Sequence, residues 1–339
     1  MKNVAVDAGF GRIKAVDQEK AISFPSLLAH YRKVRFTTGM EGNGDPTANM
    51  VIESDGRRYF VGEAAGKQGV VQNTIDRDRA VSEEAKLLTL GALALLINES
   101  PEHLNLVAGL PVSHYASLKE RYTANLKQTH YFNHLDISGN LISKNIFNIH
   151  QVKVIPQPLG TLFNLLLDEK GELCRAKLAG ESIGIVDVGY HTADLLRADA
   201  LEFIDRKSAS YPLGLFGAFN EISEELSRTH DIDAPPEALE NIVKSGSIRV
   251  GGKAISVQDQ IQQAFTRSAG QLISKLKSLW PDRWQLDRII VTGGGGQLLY
   301  NHLSQHLDQA VELAERPVFA NAKGYMKLAA RTWGIEKCA

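Results

Sequence analysis

Two stretches half a chain apart share one plan: Asp7-Ala-Gly-Phe-Gly-Arg-Ile-Lys14 and Asp187-Val-Gly-Tyr-His-Thr-Ala-Asp194. Each opens with an aspartate at the end of an apolar run, Val4-Ala5-Val6 in the first case and Ile183-Gly184-Ile185-Val186 in the second. Each then turns at once on glycine and leaves on another apolar run. The second begins 180 residues after the first in a chain of 339. A chain patterned in this way is constrained to fold as two matching halves, each with a β-hairpin whose turn carries a strand-end carboxylate beside bare backbone.

At this length two domains are expected rather than one core. A hydrophobic content of 43% and a charged content of 23% are those of a soluble globular protein. The formal net charge of −1 gives no bulk attraction to nucleic acid or anionic membrane, so neither direct nucleic-acid binding nor membrane binding is expected. Cys174 and Cys338 lack metal-type spacing and read as free thiols in a reducing cytosol, consistent with a cytoplasmic protein. The N-terminus runs directly into a strand, and the most apolar stretch, Leu87 to Ile97, is too short to span a bilayer.

Strands are predicted at 3–7, 12–16, 22–28 and 51–62, with a turn-rich loop at Gly39–Pro46 between the last two. Ser82 is a predicted N-cap, with Glu83 and Glu84 in the first turn of a helix reaching about Asn98. A strand at Leu104–Leu110 ends at Pro111, and 114–128 reads as a helix. The pattern restarts with a short strand at 152–155, a helix from Leu159 to Asp168, a second hairpin at 183–198, a strand at 202–206 and a helix at 213–228. Residues 231–236 read as a linker. Apolar residues at 257, 261, 265, 272, 276 and 279–280 form a helical stripe that reads as core. A strand at 288–292, a glycine run at 293–296 and helices at 297–313 and 321–334 close the chain. Strand–helix alternation in both halves indicates an α/β fold with the domain junction near 150–157.

In the first turn, Gly9 and Gly11 would permit positive φ and close backbone approach, letting N–H groups converge on an anion. Lys14, on the returning strand, would add positive charge for a phosphate. The Asp7 carboxylate would repel phosphate directly, so its role is to hold Mg²⁺ through water. A lone hairpin with a polar turn would look the same; the repetition argues against that. In the second turn, Asp187 and Gly189 repeat the Asp-x-Gly, while Thr192 adds a hydroxyl and Asp194 a second carboxylate. A third element, Ile289-Ile290-Val291-Thr292 running into Gly293, Gly294, Gly295 and Gly296 and then a helix, offers bare backbone for a nucleotide to lie against.

Together, Asp7-x-Gly-x-Gly-x-x-Lys14, Asp187-x-Gly-x-x-Thr-x-Asp194 and Val291-Thr-Gly-Gly-Gly-Gly296 resemble the phosphate-1, phosphate-2 and adenosine motifs of the actin/Hsp70/sugar-kinase superfamily. Val154-Ile-Pro-Gln157-Pro-Leu-Gly160 is similar to its first connector, and Ala320-Asn-Ala-Lys-Gly324-Tyr-Met to its second. All five segments fall in the superfamily's order. Phe24-Pro25-Ser26 and Gly109-Leu110-Pro111 are similar to the ParM/StbA group of actin-like proteins.

The resemblance implies an actin-like fold of two ribonuclease-H-like domains flanking a nucleotide cleft. These would be residues 1–155, with an inserted subdomain at about 30–75, and 156–339, with one at about 216–285. It implies ATP (or GTP) and Mg²⁺ as cofactors, Asp7 and Asp187 as metal carboxylates, and Gln157, Asp187 and Asp7 as the catalytic set. Gly9, Phe10, Gly11, Lys14, Gly189, Tyr190, His191, Thr192, Asp194, Gly214 and Gly293–Gly296 would meet the nucleotide. His191 reads as a turn residue rather than a catalyst. Asn220, Glu221 or Glu224 could face the ribose, and surface polarity of a helix explains them equally. Gln157 occupies the position where some plasmid-segregating members have glutamate, and Asp194 the position where actin has histidine, which leaves its role open. The implied function is an ATPase that polymerises head-to-tail into filaments and positions plasmid DNA through a DNA-binding adaptor protein. The alternative is a small-molecule kinase of the same superfamily.

Overall fold

In the computed structural model, residues 1–36, 45–71, 77–98, 100 and 102–335 are described. Cys338 and most of the Gly39–Pro46 loop lie outside them. The chain divides into two compact units, Met1–Ala179 with Phe319–Ala339, and Gly180–Val318. The expected junction at 155/156 falls inside the first unit. The helix Pro158–Leu166 packs there against the helix Ala320–Trp333, which in turn lies on the strand Lys2–Ala8.

The first unit is built on a nine-stranded sheet. Its order is Ala21–Pro25, Arg12–Val16, Lys2–Ala8, Glu102–Leu110, Leu141–Pro156, Thr129–Leu135, Val51–Ser54, Arg57–Val61 and Leu28–His30. Lys2–Ala8 pairs antiparallel with Arg12–Val16 and parallel with Glu102–Leu110, which pairs parallel with Leu141–Pro156. Val4, Val6, Leu104, Leu106 and Phe147 are among the residues that pack with the helices Glu83–Leu96 and Val112–Leu126 into one core. Ser82 caps the first of these helices through its hydroxyl, which accepts from Ala85 N at 3.2 Å.

The second unit repeats the plan. Ser182–Val188 pairs antiparallel with Ala193–Asp199 and parallel with Arg288–Thr292, which pairs parallel with Val311–Leu313. Each unit thus presents a hairpin followed by two parallel strands, as the paired motifs predict. Inserted between Ala209–Tyr211 and Arg288–Thr292 are the helices Leu215–His230, Pro236–Ser245 and Gln258–Leu279 and a small two-stranded sheet, Ser247–Val250 with Lys253–Ser256. The stripe on Gln258–Leu279 is core: Ile261, Phe265, Leu272 and Leu276 are buried.

Three elements differ from expectation. Residues 129–149, left unassigned by the sequence, form an antiparallel pair that extends the first sheet, so the short strand at 152–155 is the end of one 16-residue strand. The strand expected at 202–206 is limited to Glu202–Phe203 and gives way to a short turn of helix at Asp205–Lys207. The glycine run is the first turn of a helix, Gly293–His306, which ends well before 313 and is followed by a strand. Glycine disfavours helix by about 1 kcal/mol per residue, and here close packing overrides that propensity. No helix among the described residues is long and apolar enough to cross a membrane.

Candidate functional site

The first cluster forms where Lys2–Ala8 ends. Asp7 lies opposite Lys14 in the hairpin register, and the Lys14 ammonium sits 3.1 Å from Asp7 Oδ2. The other carboxylate oxygen accepts from Gln157 Nε2 at 3.4 Å, across 150 residues of sequence. Asp7 is 4% exposed. Gln157 owes its place to backbone contacts: its N–H donates to Leu110 O at 2.8 Å, and its carbonyl accepts from the Tyr325 hydroxyl at 3.2 Å. Gly109 makes room for both groups, because a Cβ there would stand 1.9 Å from the Tyr325 hydroxyl and 2.8 Å from Gln157 Cγ.

The turn glycines act differently from expectation. Neither Gly9 nor Gly11 has positive φ. What Gly9 supplies is room, since a Cβ would come within 3.0 Å of both Arg12 O and Lys14 Nζ. Gly11 O accepts from Ser26 N at 2.9 Å, tying the turn to the neighbouring strand end.

One residue at this turn was not signalled by the sequence. Arg79 is buried, donates to the Ser26 hydroxyl at 2.6 Å, and places its guanidinium carbon 5.0 Å from the centre of the Phe10 ring. Burial pulls its pKa down from the ordinary value. Near it lies Tyr122, whose phenol is pushed well above its usual range by burial and, secondarily, by the charge of Asp7.

The second cluster is held mainly by backbone. Asp187 pairs in register with Thr292 of the parallel strand and with Asp194 across the hairpin. Gly293 has φ +82° and is pressed against this strand; a Cβ would stand 2.4 Å from Val188 O and 2.5 Å from Asp187 Oδ1. A Cβ at Gly295 would stand 2.6 Å from a Val188 methyl, whereas one at Gly294 would meet nothing within 4 Å.

The turn itself is braced by the helix that follows. Gly214, Leu215 and Phe216 N–H groups donate to His191 O, Gly189 O and Tyr190 O at 3.2, 3.1 and 2.7 Å. These donors are engaged by the turn, so Gly214 serves to hold the turn in place. Its own Cβ, if present, would lie 2.4 Å from Tyr190 O. Tyr190 packs its ring near Phe216 and Phe219, and His191 lies 4.6 Å from Phe216. Asp194 is 2% exposed and accepts from Ser210 Oγ and from Thr192 Oγ1. Its hydrogen bonds give it an anchoring role within the hairpin. On the helix Leu215–His230, Glu221 is ion-paired with Arg267, while Asn220 and Glu224 are exposed.

Among the described residues no three His, Cys, Asp or Glu side chains gather as a metal cage. Single strand-end carboxylates suit Mg²⁺, which keeps most of its waters and is held by one or two carboxylates and substrate phosphates.

The family comparisons agree with this doubled plan. Residues 5–160 match the family described as actin-like proteins, N-terminal domain, and residues 185–305 match the archaeal actin homologue MreB-like C-terminal domain. This chain belongs to the actin-like family. A 15-stranded ParM filament from Clostridium botulinum superposes with a TM-score of 0.80 at 27% identity, covering 97% of this chain and 98% of that one. A non-polymerisable quadruple mutant of pCBH ParM matches at 0.78 and 26% identity, covering 96% and 98%. The archaeal actin homologue Ta0583 in complex with ADP shares the fold, with a TM-score of 0.78 at 20% identity over 98% of this chain and 100% of that one. No curated relative matches by sequence. The chain therefore has the actin-like fold, and filament-forming ParM proteins are among its structural neighbours.

Proposed function

We propose that this chain is an ATPase that polymerises into filaments with ATP and Mg²⁺, and that it serves plasmid DNA segregation through an adaptor protein. The observation that carries the reading is the convergence of Asp7, Lys14 and Gln157 at the first phosphate-type turn. The second turn repeats its Asp-x-Gly, and filament-forming and ADP-bound relatives support the same conclusion.

Asp7 and Asp187 would hold Mg²⁺, which when bound neutralises charge on the polyphosphate. Gly293–Gly296 would meet the nucleoside. Gln157 is a neutral amide at any accessible pH, so it can orient an attacking water but not deprotonate it. Hydrolysis on this reading is slow and gated by assembly. Within the polymer, a heterologous contact whose rotation does not close generates an open helical strand.

The test is sedimentation and electron microscopy of purified protein with Mg²⁺ and a slowly hydrolysed ATP analogue, alongside phosphate release from ATP. Filaments with ATP-dependent phosphate release are expected. Protein that never pellets over a broad range of nucleotide, salt and concentration would overturn the filament reading. Strictly acceptor-dependent ADP formation would identify a small-molecule kinase instead.

A further inference from the structure

The charges at the first turn do not divide as the sequence implies. Lys14, the cation expected to meet phosphate, is engaged by Asp7 at 3.1 Å, and that pair is electrically neutral. The turn nevertheless has a second cation behind it. Arg79 is 8% exposed, yet it closes a ring of contacts around the turn. Its Nη2 donates to the Ser26 hydroxyl at 2.6 Å and reaches Ser26 O at 3.4 Å; Ser26 N donates to Gly11 O at 2.9 Å; and the guanidinium faces the Phe10 ring at 5.0 Å. Phe10 and Gly11 are thus gripped from both sides by one side chain and the residue it binds.

A guanidinium remains protonated at any working pH, and charge in a poorly hydrated setting acts over longer range than charge in water. Arg79 therefore places a positive charge behind the turn, one on which the carboxylate of Glu84 also acts. Burying Arg79 within Arg77–Val81 desolvates a charge, a cost that the carboxylate of Glu84 offsets only in part.

We propose that Arg79 is a positioning residue for nucleotide polyphosphate, holding the Phe10–Gly11 backbone in its anion-receiving shape and supplying the positive field of the first turn. This rests on the nucleotide-binding reading above and extends it to a residue in a different part of the chain.

The experiment measures binding of Mg-ATP and of adenosine, by calorimetry or fluorescent-analogue competition, to wild type and to Arg79→Met, Arg79→Lys and Phe10→Leu, each checked for folding by circular dichroism. Arg79→Met should weaken Mg-ATP by about tenfold or more and leave adenosine unchanged. Arg79→Lys, which keeps charge but loses the fork on Ser26, should recover most of that loss. Phe10→Leu lies on the partly exposed side of the contact and should weaken Mg-ATP several-fold without affecting adenosine; it decides the matter if Arg79→Met does not fold. Equal losses for ATP and adenosine, or Mg-ATP binding within about twofold of wild type in folded Arg79→Met or in Phe10→Leu, would overturn the proposal. Wild-type protein that binds no nucleotide would instead remove the underlying reading, whereas wild-type binding with indifferent variants removes Arg79 alone.

Discussion

The two hairpins begin from the same Asp-x-Gly plan and are secured by different means. At the first, the strand-end carboxylate is held by side chains: a lysine from the returning strand and a glutamine from far along the sequence. At the second, Asp187 stands against the bare backbone of Gly293, the turn carbonyls are taken by helix N–H groups, and Asp194 is locked by Ser210. Side-chain contacts can be exchanged for ligand contacts with little backbone change. Backbone contacts cannot. The first turn can therefore exchange its charge contacts without moving its backbone, whereas the second keeps its shape through backbone contacts.

The largest expected effect tests the second turn. Gly293→Ala places a Cβ into Val188 O at a positive φ, and should destabilise the protein by more than about 3 kcal/mol, read by thermal or urea unfolding. A mild effect would mean that the second turn yields as easily as the first. Next come the two aspartates. Asp187→Ala, which removes the proposed metal carboxylate, should weaken Mg-nucleotide binding by about a hundredfold, equivalent to about 2.7 kcal/mol. Asp7→Ala should cost about tenfold less, because it releases Lys14 for the phosphate. Equal losses in titration calorimetry would erase the distinction drawn between the turns.

Ser210→Ala leaves the buried Asp194 carboxylate without one of its donors and should cost about 2 kcal/mol of stability in chemical denaturation. Gln157→Ala should preserve nucleotide affinity and filament assembly while slowing single-turnover hydrolysis about tenfold; unchanged turnover would end its assignment. Smallest of all, and opposite in sign, Gly294→Ala meets open space in the same glycine run and should stabilise the protein by up to about 1 kcal/mol in the same unfolding measurement. The contrast between neighbouring Gly293 and Gly294 is the sharpest internal control.

Both hairpins, the connector at Gln157 and the glycine run were legible because each combines an apolar strand with residues that break regular structure at a fixed offset. The antiparallel pair 129–149 was not, because its inward face mixes Phe132, Phe147 and Ile149 with polar residues. His130, His134 and Asn145 face inward, while Tyr131, Leu141, Ile142 and Ile146 are exposed, so the usual rule of apolar inside misleads. His130 can be buried because its ring bonds Leu126 O at 3.0 Å, at the end of the preceding helix. Burial also lowers the pKa of both histidines. Arg79 was invisible for a different reason: its partners, Phe10 and Ser26, lie more than 50 residues away. The turn glycines show the converse error. Their presence was read correctly, but at Gly9 the requirement is space rather than left-handed backbone.

The bracing of the second turn by the helix Leu215–His230 has a mechanical side. Its 16 residues make a rod about 24 Å long, with its first N–H groups pinned to three successive carbonyls of the turn. The rod is packed against the helix Gln258–Leu279, so a rotation at the turn is carried by both helices. A tilt of about 5° at the turn would sweep the His230 end through about 2 Å, carrying the chain that leads into Pro236–Ser245 with it. A change too small to alter any hydrogen bond at the turn would thus arrive at the far end as a displacement larger than the radius of an atom.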